Sequence, residues 1–330
     1  WRQGGFSPGK VGALKRINPA RSRLRSSGDG GKAVRLPAWP RARYAPRMTA
    51  LPACYLGLPA WGFPGWTGTY FPRPAGGESA LSLYARVFNT VEGNTTFYRV
   101  PDRDTAQRWG AAVAGTGFRF SFKLPRTLTH EAQPHAADLA AFFDAMEAIG
   151  DNLGPFLVQC PAGLGPAELP MLDGLFARLP RCYRYVLELR HPAFFSEPQR
   201  IEPLLERYEA GRVMFDSRPI YQGDAQHPEV LAARHKKPDV PLLDTVYNDL
   251  AYARVVLHPD ASQNGPWLAE WLQRGRDYLD AGHTLYFMMH CPNNQHCPVF
   301  AREYHDALRE QVPALEPLPP WPLPQQAALF

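Results

Sequence analysis

The 330-residue chain contains no apolar run approaching the ~18 residues needed to cross a bilayer, and no short apolar stretch followed by a cleavage site. A soluble, cytoplasmic protein with no membrane partner is therefore expected. Cysteine is scarce and odd in number: Cys54, Cys160, Cys182, Cys291 and Cys297 are too few to staple a chain of this size, so reduced thiols are expected. A glycine-rich phosphate loop is missing, as is a G-x-S-x-G elbow, which argues against P-loop nucleotide hydrolases and serine hydrolases of the α/β type.

Acidic residues are almost absent from one end. Residues 1–47 hold 12 of the 36 Lys and Arg but only Asp29 of the 31 Asp and Glu. The remainder therefore carries 24 basic and 30 acidic residues, a balance of −6 against +5 for the whole. Three readings fit the basic segment: sequence upstream of a start at Met48, a disordered nucleic-acid-binding arm, or a transit peptide. Its glycines and prolines spoil an amphipathic presequence helix and it has no apolar periodicity, so the first is expected and the fold is sought from residue 48 onward. With 45% hydrophobic residues the chain can bury a full core.

From Met48 onward, short β-rich runs alternate with longer segments of helical period. The strand candidates are 54–58, 87–93, 118–123, 156–160, 185–190, 212–217, 252–258 and 284–290. Helical segments fall at 78–87, 104–113, 135–150, 166–179, 198–210, 265–282 and 298–311, and only 218–250 reads as a polar loop with at most a short helical piece. Eight strands with crossover helices predict a single-domain α/β fold, a TIM-like (β/α)8 barrel over 48–311, with a doubly wound open sheet as the alternative. Residues 312–330 contain six prolines and are expected to form an extended tail.

Side chains alternate across a strand, so each barrel strand sends one parity into the lumen. In "FRFSFK" Phe118, Phe120 and Phe122 share one face and leave Arg119, Ser121 and Lys123 on the other. In "VLELR" Glu188 and Arg190 point inward together. The same reading groups Glu92 with Asn94, Arg254 with His258 and Tyr286 with His290, and places Gln159 and Asp216 near strand ends. These polar residues gather at the C-terminal ends of their strands, where barrels carry their sites. Buried ion pairs filling the lumen would explain one such pair; charges on five or six strands at one end favour a ligand.

These motifs also carry a resemblance. "FNTVEGNTTFY" (88–98), "FRFSFKLPRTLTH" (118–130), "LGPFLVQCP" (153–161) and "LELRHPAFF" (187–195), with "YARVVLHP" and "HCPNN" further on, resemble in order the YecE-like family of uncharacterised proteins, domain of unknown function 72. The resemblance implies a TIM-like barrel and supports the strand-end cluster as a shared site; it supplies no reaction. Gly93 stands where the family usually has an apolar residue, Thr95 replaces the commoner Ser, and Ala193 and Phe194 stand where Ser and Trp are frequent, while Glu92, Lys123, Glu188, Arg190 and His191 match.

Lys123, Arg190 and Arg254 suit a phosphate or carboxylate, so an anionic substrate is expected. Glu92, Glu188 and Asp216 are candidates for acid–base chemistry, with His191 beside them; Asn94, Tyr98, His130, Gln159, His258, His290 and Asn293 are candidates for binding. Carboxylates and imidazoles on separate strand ends could also hold a divalent metal, although the nearby cations oppose it. "HCPNNQHC" offers His290, Cys291, His296 and Cys297 to zinc without a paired-knuckle spacing. The terminal "QAALF", through Gln326, Leu329 and Phe330, looks like a peptide by which repair proteins dock on the sliding clamp; the alternative is that Leu329 and Phe330 pack back on the barrel. The expected function is an enzyme acting on an anionic, phosphate-bearing substrate, with a nucleic-acid-related hydrolase leading and a non-catalytic nucleic-acid adaptor or a sugar-phosphate isomerase or lyase as alternatives.

Overall fold

The computed structural model describes residues 54–131 and 136–323 of the protein. Among them eight strands form one sheet: β1 (Cys54–Leu58), β2 (Thr90–Gly93), β3 (Arg119–Phe122), β4 (Phe156–Gln159), β5 (Tyr185–Glu188), β6 (Gly211–Asp216), β7 (Leu250–Val256) and β8 (Thr284–His290). Every paired neighbour is parallel, in the order β3-β2-β1-β8-β7-β6-β5-β4. That is the circular order of a TIM barrel, nearly closed. Its ends meet at a seam between β3 and β4, where single bridges join Phe120 to Leu153 and Lys123 to Leu157.

Helices alternate with the strands because the connecting segments start and stop on local signals. Helix α1 (Ala80–Tyr84) opens on a capping box in which Ser79 and Ser82 satisfy each other's backbone amides. Asp102 accepts from the Thr105 amide at 2.6 Å to start α2 (Arg103–Ala112). Helix α3 (Ala136–Glu147) is followed by Gly150 at φ 70°. Next come α4 (Leu169–Arg178), α5 (Glu202–Tyr208), α6 (Arg218–Gln222), α7 (Pro228–Arg234), α8 (Gly265–Asp280) and α9 (Cys297–Gln311). The segment 218–250, expected as a polar loop with at most one short helical piece, thus carries two short helices. Ile220, Val230 and Ala233 bury their side chains with the lumen residues, so this segment roofs the barrel. Several strands are shorter than the sequence suggests. Residues 87 and 88 belong to the turn ending α1, where both amides bond to the Tyr84 carbonyl.

Strand parity divides the core in two. Leu157, Val186, Val213, Phe215, Tyr252 and Tyr286 fill the lumen, while Leu56, Val91, Phe120, Val158, Leu187 and Phe287 pack under the helices. Tyr55 and Tyr252 stack on Tyr286 at 4.5 and 5.9 Å, and Ser121 shares a 2.8 Å hydrogen bond with the Tyr252 hydroxyl. The lower lumen is therefore a tyrosine plug, and the space above it is left to the charged residues.

The proline-rich segment is not a free tail over its described part. Val312 and Leu315 are buried, and Trp321 packs against Tyr70, Phe71 and Phe88 at 5.0, 5.9 and 6.1 Å with the Arg302 guanidinium 4.2 Å over its ring. Proline forbids helix and ladder, but it leaves intervening apolar side chains free to dock.

Close strand contact fixes one glycine. A Cβ on Gly57 would stand 2.4 Å from the Thr90 carbonyl oxygen in the neighbouring strand. Backbone cannot rotate away as a side chain can, so Gly57→Ala is expected to cost about 1–3 kcal/mol in urea unfolding. A loss within ~0.5 kcal/mol would show that β1 and β2 can part there at little cost.

Candidate functional site

Glu92 faces the lumen one residue before the end of β2, Glu188 ends β5, and Arg254 rises between them from β7; all three are buried. Arg254 donates to both oxygens of Glu92, Nε to Oε2 at 2.6 Å and Nη2 to Oε1 at 2.7 Å, and its Nη1 donates to Glu188 Oε2. Arg190 Nε and Nη2 both donate to Glu188 Oε1 at 2.7 Å. Asn94 Nδ2, itself 3.0 Å from the Pro59 carbonyl, donates to Glu92 Oε1 at 2.9 Å. His290 Nε2 lies 3.4 Å from Glu92 Oε2. Every carboxylate oxygen thus has a partner, at least one of them a guanidinium N–H.

Burial, the largest single influence, would raise both carboxyl pKa values, but the cationic and hydrogen-bonding partners together outweigh it. Arg254 foremost among them holds Glu92 well below the usual carboxylate range, and Arg254, Arg190 and Lys123 bring Glu188 down to about 2. Burial lowers His290 to about 4. At neutral pH the two glutamates are ionised and the imidazole is neutral. Glu92 and Glu188 can therefore hold and orient Arg254, but they have no proton to give. The expected general-acid role does not fit them.

The groups placed to titrate are lysines. Lys123, one residue beyond β3, is buried and forms no ion pair among the described residues; its ammonium lies 3.8 Å from the centroid of the Phe97 ring. Burial, followed by Arg254, lowers its pKa to about 7 despite Glu188 and Glu92. Lys237, half-buried in the roof segment, feels the same four charges, and burial lowers it to about 8. The mouth thus sets Lys123, Lys237, Arg190 and Arg254 against two carboxylates.

The remaining candidates divide. His130 caps the turn Arg126–Thr129 beside Phe97, its ring 5.2 Å away, and burial followed by the Lys123 charge lowers it to about 4. Gln159 ends β4 in register with Glu188. Tyr98 stands 82% exposed at the rim, on a groove of about 340 Å³ lined also by Trp61, Glu92 and Asn94. His191 follows Arg190 but turns its Nδ1 to the Ala193 amide at 3.2 Å.

Three candidates serve elsewhere. Asp216 is a correction: it lies on the outer face of β6, where it accepts from Arg218 and, at 2.7 Å, from the Trp271 indole of α8. His258 bonds the Asp224 carbonyl and the Asp260 amide at 3.2 and 3.0 Å, a loop-fastening role. Asn293 donates to Glu229 at 2.8 Å, joining the loop after β8 to the roof. Among the described residues no three His, Cys, Asp or Glu side chains are grouped to hold a metal, the zinc candidates included. Gln326, Leu329 and Phe330 lie outside the described residues. No helix among the described residues is long and apolar enough to cross a membrane.

The family model described as "Protein of unknown function DUF72" matches residues 55–326. The chain belongs to the DUF72 family. It is 33% identical over 281 residues to the UPF0759 protein YecE of Escherichia coli K12, covering 84% of this chain and 99% of that protein. Solved DUF72 proteins share the fold. One from Thermotoga maritima has a TM-score of 0.60 at 18% identity, covering 78% of this chain and 99% of its own, and one from Enterococcus faecalis has 0.55 at 19%, covering 83% and 99%.

One departure from the DUF72 pattern has a packing reason. A Cβ on Gly93 would meet the Phe122 ring at 2.3 Å, so the ring fills the space another side chain would take. The residue that sequence reasoning missed is Lys237, which reaches the mouth from a segment with no strand parity to place it. Composition held the signal: the chain has six lysines against 30 arginines, and only Lys123, Lys236 and Lys237 follow Met48.

Proposed function

We propose that this DUF72 protein is an enzyme that binds a small anionic, phosphate-bearing substrate at the C-terminal mouth of its barrel. The observation that carries this reading is the pair of lysines that form no ion pair among the described residues, above a network already neutralised from within. Four cations against two anions leave the mouth positive, although the body outside residues 1–47 is acidic at −6. A positive pocket in an acidic body favours a small anion over broad contact with duplex phosphates. A metal-assisted hydrolase draws no support from the carboxylates, because Arg254 and Arg190 occupy the lone pairs a cation would need. Sugar-phosphate isomerase or lyase chemistry fits the geometry better.

Tyr98 favours a second reading. An aromatic ring 82% exposed at the rim is a stacking platform for a base, as a nucleic-acid end would require. Sulfate, which carries phosphate-like charge without titrating near neutral pH, tests the anion site by calorimetry. An anion binds the protonated lysines, so affinity is full below about pH 7 and falls as the amines lose their protons through about 7 and about 8. The dissociation constant is expected to rise at least tenfold between pH 6 and pH 9 on the order of one proton's linkage. A flat profile would remove the lysines from the site. Tighter binding of a phosphorylated oligonucleotide end than of sulfate or a sugar phosphate, lost in Tyr98→Ala, would turn the assignment to the second reading.

A further inference from the structure

We propose that Lys123 is a nucleophile that forms an imine with the carbonyl carbon of an anionic aldehyde or ketone. The inference rests on the anion-binding reading above and names the reacting class of its substrate. In a chain with five times as many arginines as lysines, arginine is the default cation. A lysine sealed in the barrel mouth offers what arginine cannot: an amine able to lose its proton at neutral pH. Three features prepare it. The side chain is 6% exposed and forms no ion pair among the described residues. Its nitrogen sits 3.8 Å from the centroid of the Phe97 ring, which keeps water from it although the ring's π face by itself favours the ammonium. Arg254, and to a smaller degree Arg190, oppose its charge, and although Glu188 and Glu92 favour the ammonium, both carboxylates are already paired with those guanidiniums. A desolvated lysine beside another cation is the arrangement that activates an amine.

The charged and titratable groups around it are Glu92 on β2, His130 after β3, Glu188 and Arg190 at the end of β5 and Arg254 on β7, and Lys237 in the roof feels the same carboxylates and guanidiniums. Arg190 and Lys237 would hold the anionic group. The Lys123 lone pair adds to the carbonyl carbon. The carbonyl oxygen then takes the two amine protons and leaves as water, and the nitrogen, with one proton gained from solvent, ends as a protonated imine. The positive charge so formed feels the same favourable field of Glu188 and Glu92 as the ammonium does.

Pyridoxal 5′-phosphate, a phosphate-bearing aldehyde, is the probe, with borohydride to reduce any imine and peptide mass spectrometry to locate it. The full chain is expected to acquire the reduced adduct at Lys123 at least about tenfold faster than at Lys236, because the unprotonated fraction decides the rate. Lys123→Arg keeps the charge and Lys123→Met the packing; both are expected to lose that adduct. Pyridoxine 5′-phosphate, which has an alcohol in place of the aldehyde, reports anion binding alone by competition with sulfate. If it binds and Lys123 stays unlabelled, or Lys237 is labelled instead, the imine proposal is overturned while the anion site stands. If it fails to bind yet Lys123 is selectively labelled, the nucleophile stands and the anion reading falls. Neither binding nor labelling overturns both.

Discussion

Arg254→Met is expected to lower the free energy of unfolding by about 3–5 kcal/mol, because removing one partner of a buried ionic group strands the others. Here it strands two. Glu92 would keep Asn94 and His290, and Glu188 would keep Arg190, but each loses its strongest cation. In the native protein the depressed pKa values give stability that is present above the ordinary carboxylate value of 4.5 and lost as pH falls toward about 2 for Glu188. In the variant, burial would instead hold Glu92 protonated at higher pH, moving the acid transition upward. Urea unfolding at pH 7 measures the loss. The triple variant Glu92→Gln, Glu188→Gln, Arg254→Met should recover much of it, since a buried network replaced whole costs less than one broken. A single-variant loss below about 1 kcal/mol would show that water already solvates these carboxylates.

Lys123→Met should act in the opposite sense and stabilise the folded state. The folded chain holds the amine at about 7 where an ordinary lysine stands at 10.5. Between those values the unfolded chain binds a proton that the folded chain does not, so stability rises with pH across the window by about 1.4 kcal/mol per pH unit. Below pH 7 the burial penalty is present in full. Replacing the ammonium with a thioether of similar length over Phe97 removes it, so the variant is expected to be more stable at pH 7 by about 3–4 kcal/mol, the advantage shrinking as pH rises toward 10. Chemical unfolding at pH 7 and pH 9 checks both sign and slope. A variant less stable at pH 7 would mean that the amine is satisfied where it stands, and the argument for its reactivity would go with it.

The barrel was legible because eight apolar runs and the helical period between them leave few architectures, and the alternation in "FRFSFK" and "VLELR" named the lumen side of β3 and β5. The same rule misplaced Asp216. In "RVMFDS" only one face carries charge, and it is the other that turns inward: Val213 and Phe215 take the lumen, while Arg212, Met214 and Asp216 go outward. A carboxylate near a strand end reads as a site residue unless its partner is known, and that partner, Trp271, lies 55 residues downstream. Lys237 was illegible for a different reason. Loops carry no period, so nothing local says which way a side chain points. The ion pairs were half legible: that Glu92, Glu188 and Arg254 share a lumen follows from parity, but that they saturate one another follows only from distances.

The seam between β3 and β4 gives that triad a mechanical meaning. Seven residue pairs zip β7 to β8, whereas single bridges at Phe120 and Lys123 join the two ends of the sheet. A wall so lightly laddered opens at lower free energy than its neighbours. Glu92 belongs to the half of the sheet that ends in β3, and Glu188 to the half that ends in β4. Arg254, reaching over from β7, grips both. The guanidinium is thus a tie rod across the gap that the backbone leaves, and the nucleophilic lysine stands on the one joint in the wall that it holds shut.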